Sequence, residues 1–421
     1  MKTLIKNGRL FDAASKYEGL ADIYIEDGII QDIGRDLKYN CSEVIDCKGL
    51  YVIPGMVDMH CHLREPGFEY KETIETGVHS AAAGGFTSIA CMPNTNPVID
   101  NPAIAKFVKD KADALGMVNV FPIGCITKGQ NGQELAEIGE MKFSGVVAIS
   151  DDGKPVSSSL IMRRALQYSK MFEVTIISHC EDLLLVDEGV MNEGYVSTLL
   201  GLKGIPREAE EVMVAREIIL AENNKCSIHI AHVSTKGSVE LIRNAKKRNA
   251  KVTAETCPHY FSLTDEAVMG YNTSAKVNPP LRTKEDVEAI IEGLKDGTID
   301  VIATDHAPHH IDDKNVEFNL AAFGLVGFET ALPLALTYLV HPGHLTYEHL
   351  VEKMSYNPSR ILGLNRGTLT KGKTADITIF NPNEEFVVDI NKFKTKGRNS
   401  PFNGMKLRGK VYYTIVDGKV I

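Results

Sequence analysis

None of the eight cysteines lies in a Cys-x-x-Cys pair; Cys41, Cys47, Cys61, Cys91, Cys125, Cys180, Cys226 and Cys257 are spread singly. That spacing argues against a thiolate zinc knot or a small disulfide framework and fits a reducing, cytoplasmic compartment. No apolar run approaches the length of a membrane span, and the N-terminal "MKTLIKNGRLFD" lacks the apolar segment of a signal peptide. The chain therefore reads as mature and soluble, with no membrane association. Positive charge is in deficit: 46 Lys and Arg against 55 Asp and Glu give a net charge of -9. That balance argues against nucleic-acid binding but leaves room for a local cationic pocket. Low-complexity segments and short-period repeats are also missing. What remains, 43% hydrophobic and 24% charged over 421 residues, is an ordinary globular composition. Its length suits one large domain with a smaller one beside it.

Both ends of the chain alternate apolar and polar residues around turn signals, as in "TLIKNGRLFD" and "ADIYIEDGIIQDIG" at the start and "ADITIFN" and "VYYTIVDGKVI" at the end. We expect them to assemble one small β-sandwich domain from residues 1–51 and 366–421. Between them, residues 52–365, eight short β-branched runs alternate with helical periodicity. The runs are Val52 to His60, Thr87 to Met92, Val118 to Ile123, Gly145 to Ile149, Val174 to Ser178, Ser227 to Ala231, Lys251 to Glu255 and Val301 to Thr304. Parallel neighbours need crossover helices, so this α/β pattern predicts a (β/α)8 TIM barrel.

Barrels of this kind carry their chemistry at the C-terminal ends of the strands. The first run ends in His60 and His62, the second leads to Asn94, the fourth to Asp151 and Asp152, the fifth to His179, the sixth to His232, and the eighth to Asp305 and His309. Residues two apart share a face of a strand, so His60 and His62 point the same way while Cys61 points away. A lone His-x-His pair has about even odds of being structural. Imidazoles and carboxylates at several other strand ends shift that balance towards a borderline metal such as Zn²⁺.

"DMHCHLREPG", "MPNT", "SDDG", "KVNPPLR" and "TDHAPH" together resemble the type I dihydroorotases of the amidohydrolase superfamily. The similarity runs nearly the full length. The resemblance implies a zinc-dependent hydrolase that reversibly cyclises N-carbamoyl-L-aspartate to L-dihydroorotate in pyrimidine biosynthesis. Carried over by position, His60, His62 and Asp305 would hold one Zn²⁺ and His179 and His232 a second. Asp152 would bridge them, with Asp151 the alternative, so one or two ions would bind per subunit. Asp305 would act as general base and then acid. Arg64, Asn94 and His309 would hold the substrate's unreactive carboxylate, while Asn278 and the backbone at Phe323 and Gly324 would contact the ring. The resemblance also implies a homodimer and leaves open an association with aspartate transcarbamoylase.

Other histidines read as structural. His229, three residues before His232, is expected on the opposite face, towards a helix; His79, His341, His344 and His349 fall away from strand ends, and His259 is expected to support the site. Glu65 reads as a loop ion pair. The rival readings are a dihydropyrimidinase, hydantoinase or allantoinase, and a non-catalytic partner of aspartate transcarbamoylase. The first group lacks a matching substrate carboxylate and uses a lysine bridge that "AISDDG" does not offer; the second would be free to lose ligands that this chain retains.

Overall fold

The computed structural model describes residues 2–421. Eight parallel strands follow one another round the main sheet: Met56–Cys61, Phe86–Cys91, Asn119–Gly124, Ala148–Ile149, Thr175–Ser178, Ile228–Ile230, Val252–Thr256 and Val301–Ile302. The sheet closes between first and last through a parallel bridge from Cys61 to His306, where the His62 amide donates to the His306 carbonyl at 2.8 Å. Closure makes it a (β/α)8 barrel. Met59, Ala90, Ile123, Ala148, Ile177, Ala231 and Val301 fill its interior, so the barrel is a packed plug that leaves room for a site only at its mouth.

Helices cover the outside because their sequences offer one apolar stripe and a cap. Helix Lys236–Lys247 buries Ser238, Val239, Ile242 and Ala245 at three- and four-residue spacing, and the Thr235 hydroxyl accepts from the Ser238 amide at its N-terminus. Burying Val239 and Ile242 contributes roughly 1.5–3 kcal/mol each. Helices Ile74–Ala83, Pro102–Leu115, Ser159–Met171 and Lys284–Lys295 repeat the device between other strands, while Glu208–Asn224 packs there without a side-chain cap.

The two ends of the chain share a second sheet. Lys2–Asp12, Tyr17–Glu26 and Ile29–Gly34 form one part, Ile377–Val387, Lys406–Val416 and Lys419–Val420 the other, and Tyr51–Pro54 joins them. An isolated bridge from Ile29 to Thr374 also ties the strand Ile29–Gly34 to the chain just before Ile377–Val387, and the sheet packs on a core that includes Ile5, Ile23, Ile30, Val52, Ile377 and Ile415. The continuous apolar run Val52 to His60 is therefore two strands. The chain changes sheets at Gly55, where a Cβ would stand 2.2 Å from the Thr87 hydroxyl, so only glycine fits the crossing. Residues 388–405 leave the second sheet and lie beside the barrel mouth.

Candidate active site

Four imidazoles surround one carboxylate at the mouth. Asp152 Oδ1 lies 3.4 Å from His60 Nε2, 3.3 Å from His179 Nδ1 and 3.5 Å from His232 Nε2, and its Oδ2 lies 3.5 Å from His62 Nε2. Asp305 Oδ1 lies 3.1 Å from His62 Nε2 and 3.6 Å from His60 Nε2. Two atoms bound to one tetrahedral ion at zinc-like distances stand about 3.3–3.4 Å apart, and these spacings are close to that. Asp152 Oδ1 and His60 Nε2 are buried and have no hydrogen-bond partner, as expected of atoms shaped for a cation rather than for each other. The donors form two overlapping groups, His60 with Asp152 and His232, and His60 with His62 and Asp305. His179 joins the first through its Nδ1, which is 2.7 Å from His232 Nε2. The residues present fit a divalent metal.

Local backbone strain turns side chains inward here. Arg64, His232 and Asp305 have φ of 62°, 31° and 46°, values that non-glycine residues rarely adopt. For His232 this changes the reading of its neighbour. Alternation would send His229 outward, but the chain leaves regular strand geometry at His232, and both imidazoles end inside. His229 Nε2 hydrogen-bonds Glu255 Oε2 at 3.2 Å, and its Nδ1 meets Thr253 Oγ1 at 2.9 Å.

Glu255 is one of two carboxylates whose role is not apparent from the sequence. Its Oε1 accepts from His60 Nδ1 at 2.5 Å, fixing the tautomer that leaves Nε2 bare towards the centre. Glu181 does the same for His179 from the opposite ring nitrogen, 3.2 Å from Nε2, and Asn94 Oδ1 accepts from His62 Nδ1 at 2.9 Å. The available signals were slight: Glu255 ends the seventh run, and Glu181 follows His179 by two residues. Burial opposes ionisation of Asp152 and Asp305, but the neighbouring imidazoles outweigh it and hold both below the usual carboxylate range. Burial likewise opposes protonation of His179, whose bonds to Asp152 and Glu181 nevertheless push it up to about 10. Four buried carboxylates thus draw positive charge into the cluster, either as imidazolium protons or as a bound cation.

Asp151 points elsewhere. Its Oδ1 accepts from the amides of Ile126 at 2.8 Å and Thr127 at 3.2 Å, its Oδ2 from the Thr127 hydroxyl, and burial pushes it up to about 6. His259 is buried with neither ring nitrogen hydrogen-bonded, and burial pulls it down to about 4. His306 stacks on Phe328 with centroids 4.1 Å apart. Glu65 pairs with Lys111, in keeping with a loop ion pair.

Above the cluster is a cavity of about 210 Å³. The cluster residues His62, Asp152, His179, His232 and Asp305 form its floor, and Arg64, Asn94, Asn278, His309, Phe323 and Gly324 line the remaining wall. Arg64 Nε donates to the Pro308 carbonyl at 3.1 Å, and its Nη2 stands 3.3 Å from His309 Nε2. Asn278 Oδ1 is buried without a donor. Gly324, at φ 131°, allows close approach: a Cβ there would meet Ala307 at 2.7 Å and His309 at 3.2 Å. Asn399, from the segment 388–405, supports this wall. Its Oδ1 accepts from the His309 amide at 3.1 Å, and its Nδ2 donates to the Ala307 and Gly324 carbonyls, each at 3.0 Å.

The chain is similar over nearly its whole length to known proteins. Residues 49–238 match the family described as Dihydro-orotase-like. The dihydroorotase of Acetivibrio thermocellus is 68% identical over 418 residues, covering 99% of this chain and 98% of that one; that of Ruminiclostridium cellulolyticum is 64% identical with the same coverage. Among solved structures, the L-hydantoinase (dihydropyrimidinase) of Arthrobacter aurescens superimposes with a TM-score of 0.90 at 28% identity, covering 100% of this chain and 95% of its own. The dihydropyrimidinase of Brevibacillus agri, at TM-score 0.87 and 23% identity over 100% and 95% of the two chains, has the same fold.

Proposed function

This chain belongs to the dihydroorotase family, and from that premise we infer that its cavity interconverts L-dihydroorotate and N-carbamoyl-L-aspartate, a step of pyrimidine biosynthesis. One observation supports the choice of substrate: Arg64, beside His309, shares a single cavity with Asn94 and the ligand cluster. A ring with a carboxylate on one side and a scissile amide on the other spans the two. A guanidinium with two parallel donors suits that carboxylate, whereas hydantoin or dihydrouracil would leave Arg64 buried without an anion.

The divalent cation that we assign to the six ligands, Zn²⁺ with one or two ions per subunit, supplies Lewis acidity and makes a water nucleophilic at neutral pH. The remaining steps belong to the chain. Arg64, Asn94 and the His309 N–H hold the carboxylate, and Asn278 Oδ1 is placed to accept from a ring N–H. The backbone of Phe323 and Gly324 presses the ring against the floor. In ring opening, water adds to the amide carbon and the carbon–nitrogen bond breaks. Asp305, ionised in this setting, takes the water's proton and returns it to the leaving nitrogen. Ring closure reverses these transfers and consumes a proton, because a carboxylate becomes an amide carbonyl, so lower pH favours the ring.

Eight free thiols, seven of them buried, support a cytoplasmic setting. For a homodimer, the support is an apolar surface: Leu183, Leu184 and Leu185 are exposed on a short helix packed on Glu208–Asn224, which itself exposes Val212 and Ile219. Aspartate transcarbamoylase is the second candidate occupant of that surface. Among the described residues no helix is long and apolar enough to cross a membrane.

The test is loss of ring-amide absorbance when L-dihydroorotate is added to zinc-loaded protein, beside a chelated sample and samples given hydantoin or dihydrouracil. Metal-dependent loss with dihydroorotate alone is the expected result. Turnover of the uncharged rings instead would move the assignment to a hydantoinase-type enzyme.

A further inference from the structure

His309 is a wall between two spaces. One face lines the active cavity, and the other lines an outer cavity of about 520 Å³ that also contains Lys71, Lys314, Lys396 and Arg398. Lys71 lines only the outer cavity, so it reaches the imidazole from behind. Its Nζ stands 3.3 Å from His309 Nδ1 and 3.3 Å from Asp313 Oδ2. On the other side of the ring, His309 Nε2 stands 2.8 Å from the Phe323 carbonyl oxygen.

These contacts favour the same tautomer from both sides of the ring. An ammonium can only donate, so Nδ1 facing Lys71 must be bare; a carbonyl can only accept, so Nε2 facing Phe323 must carry the proton. The one acceptor that could favour the opposite arrangement, Asp313 Oδ2, is 3.7 Å from Nδ1, beyond hydrogen-bond range. A second consequence concerns Arg64. Its Nη2 is 3.3 Å from Nε2, and with the proton there both atoms are donors. Two donors at that separation repel unless an acceptor lies between or beside them, and a carboxylate is such an acceptor.

We propose that Lys71 is a specificity-determining positioning residue: by donating to His309 Nδ1 from the outer cavity, it holds the neutral imidazole with its proton on Nε2. His309 and Arg64 then turn donors towards the same point; the Phe323 carbonyl meets one of them, and an anionic substrate group meets both. Burial together with the charges of Arg64, Lys71 and Lys314 also pulls His309 well below the usual imidazole range, which keeps the ring uncharged. Lys71 does not touch the substrate, and no proton passes through it. The proposal rests on the dihydroorotase reading for the identity of the anion, but its tautomer claim stands independently of turnover.

The experiment uses full-length protein carrying ¹⁵N-labelled histidine, with the His309 resonances identified by their loss in His309→Asn. Imidazole nitrogen shifts report which nitrogen is protonated, and steady-state kinetics with L-dihydroorotate are run in parallel. In Lys71→Met, Asp313 loses its ion pair and competes for a proton on Nδ1 against the Phe323 carbonyl at Nε2, so the His309 proton should move at least partly to Nδ1 and KM should rise by about tenfold or more, the scale of a lost charge-assisted hydrogen bond, while kcat stays within about threefold. Lys71→Arg, which keeps a donor, should restore both readouts, and Lys71→Leu serves if the methionine variant fails to fold. An Nε2-protonated His309 in the methionine or leucine variant would overturn the proposal, as would an unchanged KM with a shifted tautomer. Wild-type protein that shows the Nε2 tautomer but does not turn over dihydroorotate would instead overturn the substrate assignment.

Discussion

Asp305 stands where two roles meet, 3.1 Å from one candidate ligand and on the floor of the cavity that takes the substrate. Replacing it by asparagine keeps the shape and one oxygen but removes the basic site. We expect Asp305→Asn to lower kcat by about 10²–10⁴-fold, the range for a positioned acid–base group, with near-normal fold and most of the metal retained. A variant with near-normal rate would remove the proposed base. The Asp151 and Asp152 pair makes a second contrast. Asp152→Ala deletes the carboxylate at the centre of four imidazoles, so metal content by mass spectrometry should collapse. Asp151→Ala should keep its metal but lose stability by about 1–3 kcal/mol, because the Ile126 and Thr127 amides lose their buried acceptor. The reverse result would shift the bridge to Asp151.

At the scale of elements, the strand ends were readable because a parallel barrel places every β-branched run in the same direction and so brings their following residues to one rim. That logic picked out the imidazoles and carboxylates that the fold brings together at the mouth. It failed where the chain departs from regular geometry. The run through Gly55 looks unbroken because burial in either sheet demands the same apolar residues, and only the approach to Thr87 separates the strands. His229 was misread because alternation assumes a strand that continues, whereas His232 adopts a left-handed φ. Asn399 was invisible for a different reason: it lies 90 positions from the amide it accepts from, in a segment whose composition marks only a loop. Its geometry yields a prediction of its own. Asn399→Ala leaves the His309 amide and two carbonyls without their partners, so the carboxylate wall should loosen while the floor stays fixed. KM for dihydroorotate should rise more than kcat falls, at unchanged metal content; lost metal would show that the segment braces the floor as well.

Across the whole molecule, the candidate ligands come from the ends of the first, fourth, fifth, sixth and eighth strands, so a bound ion links most of the barrel circumference. Only the folded chain gathers these six groups, and an ion that binds the folded state alone stabilises it by mass action. At a free metal concentration about a hundredfold above Kd, the gain is about 2.7 kcal/mol. For a chain of 421 residues that corresponds to a rise in Tm of about 3 °C, since the entropy of unfolding grows with length. Chelation should therefore lower Tm by about that amount, and added Zn²⁺ should restore it. In Asp152→Ala the same treatment should leave Tm unmoved, since the shared ligand is gone. Removing the cation also leaves Asp152 and Asp305 with imidazoles alone for compensation, so the chelated protein should depend on histidine protonation more than the loaded one. A Tm indifferent to metal in the wild-type chain would mean that these six groups are held together by their own hydrogen bonds, and that the cluster is not a metal centre.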